Sequence, residues 1–349
     1  MELSTTNKSN FWDVHTLNDF EPITFLKNVH SSTISSVCFL KDGRIASSSL
    51  YDGLLLIYNK ITYKIEIKII ESKSIYYMNV TRDGMLITCL GGIFVNLYEI
   101  NGKEYKIIQT IKPYSFLMNI IAKYNGSFSI QKFIELKNGD LVFFAWCYGL
   151  SFYRKKKNSK KYSYFDKYKE PFLKQKNITD LVELDNDEYV ISFQYEKIIQ
   201  FLKKKSKKIT KTIKCDFSFS DSKSNMLLMN KNDLFLLGDE EIFILDIQKK
   251  EIIKEITLKV DAGDLSSIYK LSDNILLAGY QKNSIVQLEY DEIKKEFKVI
   301  SKNSKKDNKN SALYETSSIA ILKNNLIAAP FNNDLFRSSL IIYKYKYKY

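Results

Sequence analysis

The sequence predicts an all-β fold, a seven-bladed β-propeller of four-stranded blades, its ring closed by an N-terminal strand that pairs with the last blade. Three observations predict it. A strand-turn-strand core with Asp, Asn or Gly in its turn recurs seven times along the chain. The 317 residues from Thr33 to Tyr349 give about 45 per unit, which is the spacing of propeller blades. The last unit lacks a fourth strand, and a spare strand precedes the first.

Val29 to Asn59, VHSSTISSVCFLKDGRIASSSLYDGLLLIYN, holds the fullest unit. Ser35 to Leu40 is a half-apolar strand, Lys41-Asp42-Gly43 a tight turn, and Arg44 to Ser49 the returning strand. Tyr51-Asp52-Gly53 turns the chain again into Leu54 to Tyr58, whose near-continuous apolar run suits burial on both faces. Three strands so close together leave no room for helix.

The same core follows as YYMNV-TRDG-MLITC from Tyr76, FIEL-KNGD-LVFFAW from Phe133, LVEL-DNDE-YVISF from Leu181, LLM-NKND-LFLLG from Leu227, IYKL-SDN-ILLAG from Ile268 and IAIL-KNN-LIAAP from Ile319. A third strand follows each core, and a fourth follows in every unit but the last, as in YKIEIKI from Tyr63, YKIIQTI from Tyr105, ITKTIK from Ile209 and EIIKEITL from Glu251. Ile23 to Asn28 is the spare strand, expected to pair with the last third strand near Leu340 to Tyr345. An unpaired edge there would expose backbone groups and invite aggregation. Residues 1–22 are then a leader, and 23–349 one propeller domain, since no linker interrupts the units.

VHSSTISSV, DGRIASSS and YDGLLLIYN resemble the three signature segments of a WD repeat. The resemblance implies that His30, Ser49, Asp52 and Tyr58 form a hydrogen-bonded blade tetrad. Val29 stands where that family has Gly, Tyr58 where it has Trp, and one extra residue precedes Asp52. The resemblance implies in addition a non-catalytic scaffold or adaptor that mediates protein-protein interactions within a larger intracellular complex.

Only 4 Pro and 12 Gly are present, so Asn, Asp and Ser are expected to carry most turns, because their side chains tolerate left-handed geometry and bond locally to backbone. The net charge of +13 points at first to nucleic acid or an acidic membrane. However, 49 of the 53 basic residues are Lys, accompanied by abundant Ile, Asn and Tyr, a profile that matches an AT-rich codon bias. A reader of nucleic acid would more often use Arg forks. Cys38, Cys89, Cys147 and Cys215 lie about a blade apart with no CxxC spacing, which argues against a disulfide framework or zinc site and fits a reducing compartment. The N-terminus has no signal-peptide core, and the longest apolar run, Leu141 to Tyr153, is too short to span a bilayer. The expected place is the cytoplasm or nucleus, neither secreted nor transmembrane.

Parts for catalysis are scarce. His15 and His30 are the sole histidines, and no GxGxxG, GxxxxGK[ST] or GxSxG occurs. Some propellers hydrolyse sugars with paired carboxylates. Here Asp42, Asp83, Asp140, Asp185, Asp187, Asp233 and Asp273 all fall in first-hairpin turns, where Asp serves turn chemistry. No cofactor, metal or small-molecule substrate is expected. Trp12-Asp13 lies in the leader rather than in a third strand, and Trp146 reads as core.

Two surfaces are left as candidates. Long blade-to-blade loops carry Phe116, Leu117 and Met118, Phe172 and Leu173, and Phe217 and Phe219, the expected protein-docking anchors unless each loop folds back on its own blade. The third-to-fourth strand turns of blades three and four carry Arg154, Lys155, Lys156, Lys157, Lys160 and Lys161 with Lys203, Lys204, Lys205, Lys207 and Lys208. These frame the alternative function: an anion-binding propeller that docks a phosphoinositide membrane or an RNA. Phosphoinositide-binding propellers share the blade count, but their FRRG signature is absent, with Leu335-Phe336-Arg337-Ser338 as a poor substitute in the last blade.

Overall fold

Apolar strand runs and Asp/Asn/Gly turns become strand after strand. The computed structural model describes residues 20–91, 94–112, 130–145, 149–168, 178–193, 196–217, 219, 225–238, 241–258, 265–280, 284–303, 320–322, 326–334 and 337–345. Among the described residues there are 28 strands and no helix. They form seven antiparallel four-stranded sheets, and the fold class is the seven-bladed β-propeller. The leader with Trp12 and Asp13, the loops around Phe116 and Phe172, and Trp146 with Cys147 lie outside the described residues.

The chain falls into two compact units, Met1–Val37 with Phe217–Tyr349, and Cys38–Asp216. The second holds three whole sheets and most of a fourth. Its first sheet is β2 (Ile34–Phe39), β3 (Ile45–Ser49), β4 (Leu54–Tyr58) and β5 (Ile65–Ile70). Next comes β6 (Ile75–Val80), β7 (Leu86–Leu90), β8 (Val95–Asn101) and β9 (Glu104–Ile111). Blade three is β10 (Ile130–Glu135), β11 (Leu141–Ala145), β12 (Gly149–Lys155) and β13 (Tyr162–Tyr168). Blade four is β14 (Ile178–Glu183), β15 (Glu188–Phe193), β16 (Ile198–Lys203) and β17 (Ile209–Lys214).

The core of this unit lies between sheets, and strand alternation explains why inner strands read as unbroken apolar runs. On β7, Leu86 and Leu90 join Leu55 and Ile57 of the preceding blade, while Ile87 and Cys89 join Phe133 and Phe143 of the following one. On β11, Leu141 and Phe143 face blade two, while Val142 and Phe144 pack with Leu181 and Ile191 of blade four. Successive side chains point to opposite faces, and here both faces are covered, so polar alternation would leave buried groups unsatisfied.

The other unit holds β18 (Met226–Leu228), β19 (Asp233–Leu237), β20 (Glu241–Asp246) and β21 (Glu251–Thr257), then β22 (Leu265–Lys270), β23 (Ile275–Tyr280), β24 (Ser284–Asp291) and β25 (Glu296–Asn303). Its last sheet runs β26 (Ala320–Leu322), β27 (Leu326–Asp334), β28 (Arg337–Tyr345) and finally β1 (Phe20–His30). The N-terminal strand therefore completes the last blade, with Thr24 opposite Ile342 and Leu26 opposite Leu340. It is longer than the expected Ile23 to Asn28, taking in Phe20, Glu21 and Pro22 from the leader. Asn28, at φ 50°, sits in a register shift and donates its N–H to Ser339 Oγ at 3.1 Å.

Turn chemistry differs from expectation in one respect. Asn and Asp do open the third-to-fourth strand turns: Asn59 Oδ1 accepts the N–H groups of Ile61 and Thr62, and Asp291 Oδ1 those of Ile293 and Lys294. The left-handed position, however, falls to Tyr63 (φ 55°), Lys207 (φ 55°), Lys250 (φ 55°) and Lys295 (φ 55°) as well as to Asn158 (φ 53°). Gly53 has no such latitude: at φ 61°, a Cβ there would meet Glu71 O at 2.9 Å.

Candidate interaction surfaces

Of the blade-one tetrad residues, His30, Ser49 and Tyr58 are buried and Asp52 is half-buried, but their partners differ from the expected set. The Tyr58 hydroxyl lies 3.0 Å from Ser47 Oγ, not Ser49. Register gives the reason. Tyr58 stands opposite Ile45, so the nearest hydroxyl on the same face of β3 is the diagonal one two residues on, at Ser47; Ser49 is two further. Ser49 Oγ is buried without a hydrogen-bond partner among the described residues. Asp52 Oδ1 accepts the N–H of Leu54 at 2.9 Å, an Asx turn, and His30 is buried at the end of β1. Blade two repeats the geometry: Thr88 lies two residues on from Leu86, opposite Tyr98, and both Thr88 Oγ1 and the Tyr98 hydroxyl donate to Glu71 Oε1.

The lysine loops are less cationic than their sequence. Of the eleven candidate cations, Arg154 meets Asp140 at 3.6 Å, Lys203 meets Glu188 at 3.7 Å, Lys204 meets Glu183 at 3.1 Å and Lys207 meets Asp166 at 3.2 Å. Lys155 pairs with Asp83 and Lys160 with Glu99. Three of these six pairs join neighbouring blades. Asp83 and Glu99 belong to blade two, and Lys207 reaches from blade four onto blade three, its ammonium 4.5 Å from the centre of the Phe152 ring. Lys156, Lys157, Lys161, Lys205 and Lys208 are exposed with no acidic partner among the described residues.

Of the candidate anchors, Phe116, Leu117, Met118, Phe172 and Leu173 lie outside the described residues. Phe219 is 2% exposed, which corrects its assignment as an exposed anchor. Phe217 is half-buried, stacked on Phe243 at 3.6 Å with its ring edge toward Phe219. Phe217 packs on the β20 face with Phe219 against its ring, because phenyl rings gain more by covering one another and the sheet than by standing in water.

A pair that the chain-order reading overlooked lies on the first strands of blades three and four. Lys132 Nζ is 2.6 Å from Asp180 Oδ1, both side chains only 6% exposed, and the ammonium also lies 5.0 Å from the Phe144 ring centre. Both are the third residue of their strand, IQKFIE and ITDLVE. Aligning the units position by position would have exposed two opposite charges where neighbouring units carry Ser36 and Tyr77.

The hairpin acids serve structure. Asp42 accepts from Arg44 Nε at 2.8 Å, Asp185 pairs with Lys137, and Asp233 accepts from Asn230, Tyr290 and Lys295. Cys38 and Cys215 are buried, and burial pushes both thiols up to about 12, so they remain protonated near neutrality. No group of three His, Cys, Asp or Glu suited to a metal ion occurs among the described residues. No helix among them is long and apolar enough to cross a membrane.

No family model and no curated protein matches the chain. Solved structures do. A chain of the mitotic checkpoint complex aligns with 99% of this chain and 95% of its own, with a TM-score of 0.66 and 9% identity. The structure of U3-55K aligns with 93% of this chain and 98% of its own, with a TM-score of 0.68 and 12% identity. At such identities the likeness is one of fold alone, a β-propeller along nearly the whole chain.

Proposed function

We propose that this chain is a non-catalytic scaffold whose blades present loops to protein partners within a larger complex. The observation that supports it most is the engagement of its chemistry-bearing groups in structure. The hairpin carboxylates hold turns and neighbouring blades, the two described thiols with raised pKa are protonated, and the one described histidine is buried. The fold likeness to a chain of the mitotic checkpoint complex adds a neighbour that works inside an assembly. Docking is assigned to the loops around Phe116, Leu117 and Met118 and around Phe172 and Leu173. With Phe217 and Phe219 packed on their own blade, these five carry the proposal alone.

The test is a paired Phe116→Ala, Phe172→Ala variant used as bait in affinity purification from native cells. Loss of partners with an unchanged melting temperature is expected, since an interface anchor typically contributes about 2 kcal/mol or more. Unfolding of the variant, or survival of every partner, places docking elsewhere.

A second reading draws on the exposed ammonium groups of Lys156, Lys157, Lys161, Lys205 and Lys208, a remnant basic face that could meet an anionic leaflet or RNA. Sedimentation with anionic liposomes and RNA gel shifts at two salt concentrations test it, and absence of binding at low salt ends it.

A further inference from the structure

Each blade ends in an outer strand, and one of the seven differs in charge. β5 carries Glu66, β9 Glu104, β13 Asp166, β21 Glu251, β25 Glu296 and β1 Glu21. β17, ITKTIK, carries no carboxylate. Its residues are exposed save for a half-buried Ile213. Lys208, Lys211 and Lys214 have no acidic partner among the described residues, in contrast to Lys203, Lys204 and Lys207 beside them.

Backbone geometry shows what this strand offers. β17 is terminal in its sheet, paired on one side with β16. Cys215 donates its N–H to Lys197 O at 2.7 Å. Bonding alternates along an antiparallel pair, so Ile213 and Lys211 turn their peptide groups inward to β16, while Thr212 and Lys214 turn theirs outward. The outward groups form a template for a further strand.

We propose that β17 is a docking edge for an extended acidic segment of a partner protein, which adds to blade four as a fifth strand with carboxylates beside Lys211 and Lys214. This rests on the scaffold reading and names the chemistry of one partner. Edge lysines commonly discourage pairing with another strand. They do so by charge, and the same charge selects an acidic strand, since opposite charges placed across a strand pair attract and like charges repel. The other outer strands each place a carboxylate where such a segment would run.

A fluorescein-labelled peptide of Glu and Val with its Glu residues three apart, so that carboxylates fall on both strand faces as Lys211 and Lys214 do, is added to the full chain at low salt and tests the edge by anisotropy. Lys211→Glu with Lys214→Glu should abolish binding. Thr212→Pro removes an outward N–H and leaves the β16 ladder intact, because Pro is tolerated on an edge strand with its missing donor toward solvent. It should weaken binding about tenfold or more at an unchanged melting temperature. Slowed hydrogen exchange at Thr212 and Lys214 on adding peptide gives a second measurement on the unaltered chain.

Binding that survives Thr212→Pro with no amide protection is a contact of charge alone and overturns strand addition, as does absence of binding. Vesicles of phosphatidylserine that bind through the same lysines while the peptide does not would assign the strand to a membrane and overturn the proposal. A defined peptide on the purified chain reports on β17 alone, so failure here leaves the loop-docking test of the scaffold reading untouched.

Discussion

A lysine ammonium removed from water carries a desolvation cost of several kcal/mol, and Lys132 meets it with Asp180 at 2.6 Å and a phenyl face. Removing one partner strands the other charge. Asp180→Ala is therefore expected to cost about 3–5 kcal/mol, whereas Lys132→Met with Asp180→Leu should fall near the parent stability. Urea unfolding of the two singles and the double reads this directly, and additive losses would contradict the pairing. Burial pulls the Lys132 pKa below the ordinary lysine value, with Asp180 only partly opposing. Between that lowered value and the ordinary one, the unfolded chain holds a proton that the folded chain has released, so stability rises with pH across that window. Lys132→Met should remove this rise. Phe219 offers a second residue-scale test: as a core side chain, Phe219→Ala should cost about 3 kcal/mol and lower the melting temperature, the response of packing rather than of docking.

At the scale of the element, β1 is the strand whose removal is most telling. Deleting residues 1–28 strips Thr24, Phe25 and Leu26 from Ile342, Ile341 and Leu340 and leaves β28 as a bare edge. The expected outcome is a melting temperature lower by about 1–2 °C for each kcal/mol lost, with self-association on size exclusion. An unchanged melt of a monomer would mean that β1 adds nothing to the sheet. This strand was legible in the sequence because a missing element at one end matched a spare one at the other. The hairpin cores were equally legible, since Asp/Asn/Gly turns and apolar strands are local signals; ITKTIK from Ile209 to Lys214 became β17 without a shift. What was not legible depends on register or on distant residues. Ser47 rather than Ser49 meets Tyr58 because pairing starts at Ile45, a one-strand detail that turn signals do not encode. Part of the charge on the lysine loops looked uncompensated because two of the carboxylates that meet it, Asp83 and Glu99, lie in the preceding unit and approach only once the blades stand side by side.

Over the whole molecule, two electrostatic effects compete as pH falls, and salt decides between them. Ion pairs tie neighbouring blades: hydrogen bonding to Lys160 holds the Glu99 carboxyl below the usual range, and hydrogen bonding to Lys137 does the same for Asp185. Burial pushes Asp83 upward, but its bonds to Lys155 and Thr81 bring it below the usual range as well. Carboxyl groups with lowered folded pKa values stabilise the fold above their unfolded value, about 4, and lose that contribution as pH drops through the folded one. These pairs are largely exposed, so each contributes little. Against them stands self-repulsion: the chain already carries +13, and protonating its 40 acidic residues leaves 53 Lys and Arg unopposed. Repulsion therefore dominates acid unfolding. Added salt should shift the acid midpoint to lower pH by screening it, even though the same salt weakens the ion pairs. Circular dichroism titrations in low and moderate salt measure the midpoint. A shift to higher pH with salt would reverse the ranking and make the inter-blade pairs the main electrostatic support of the fold.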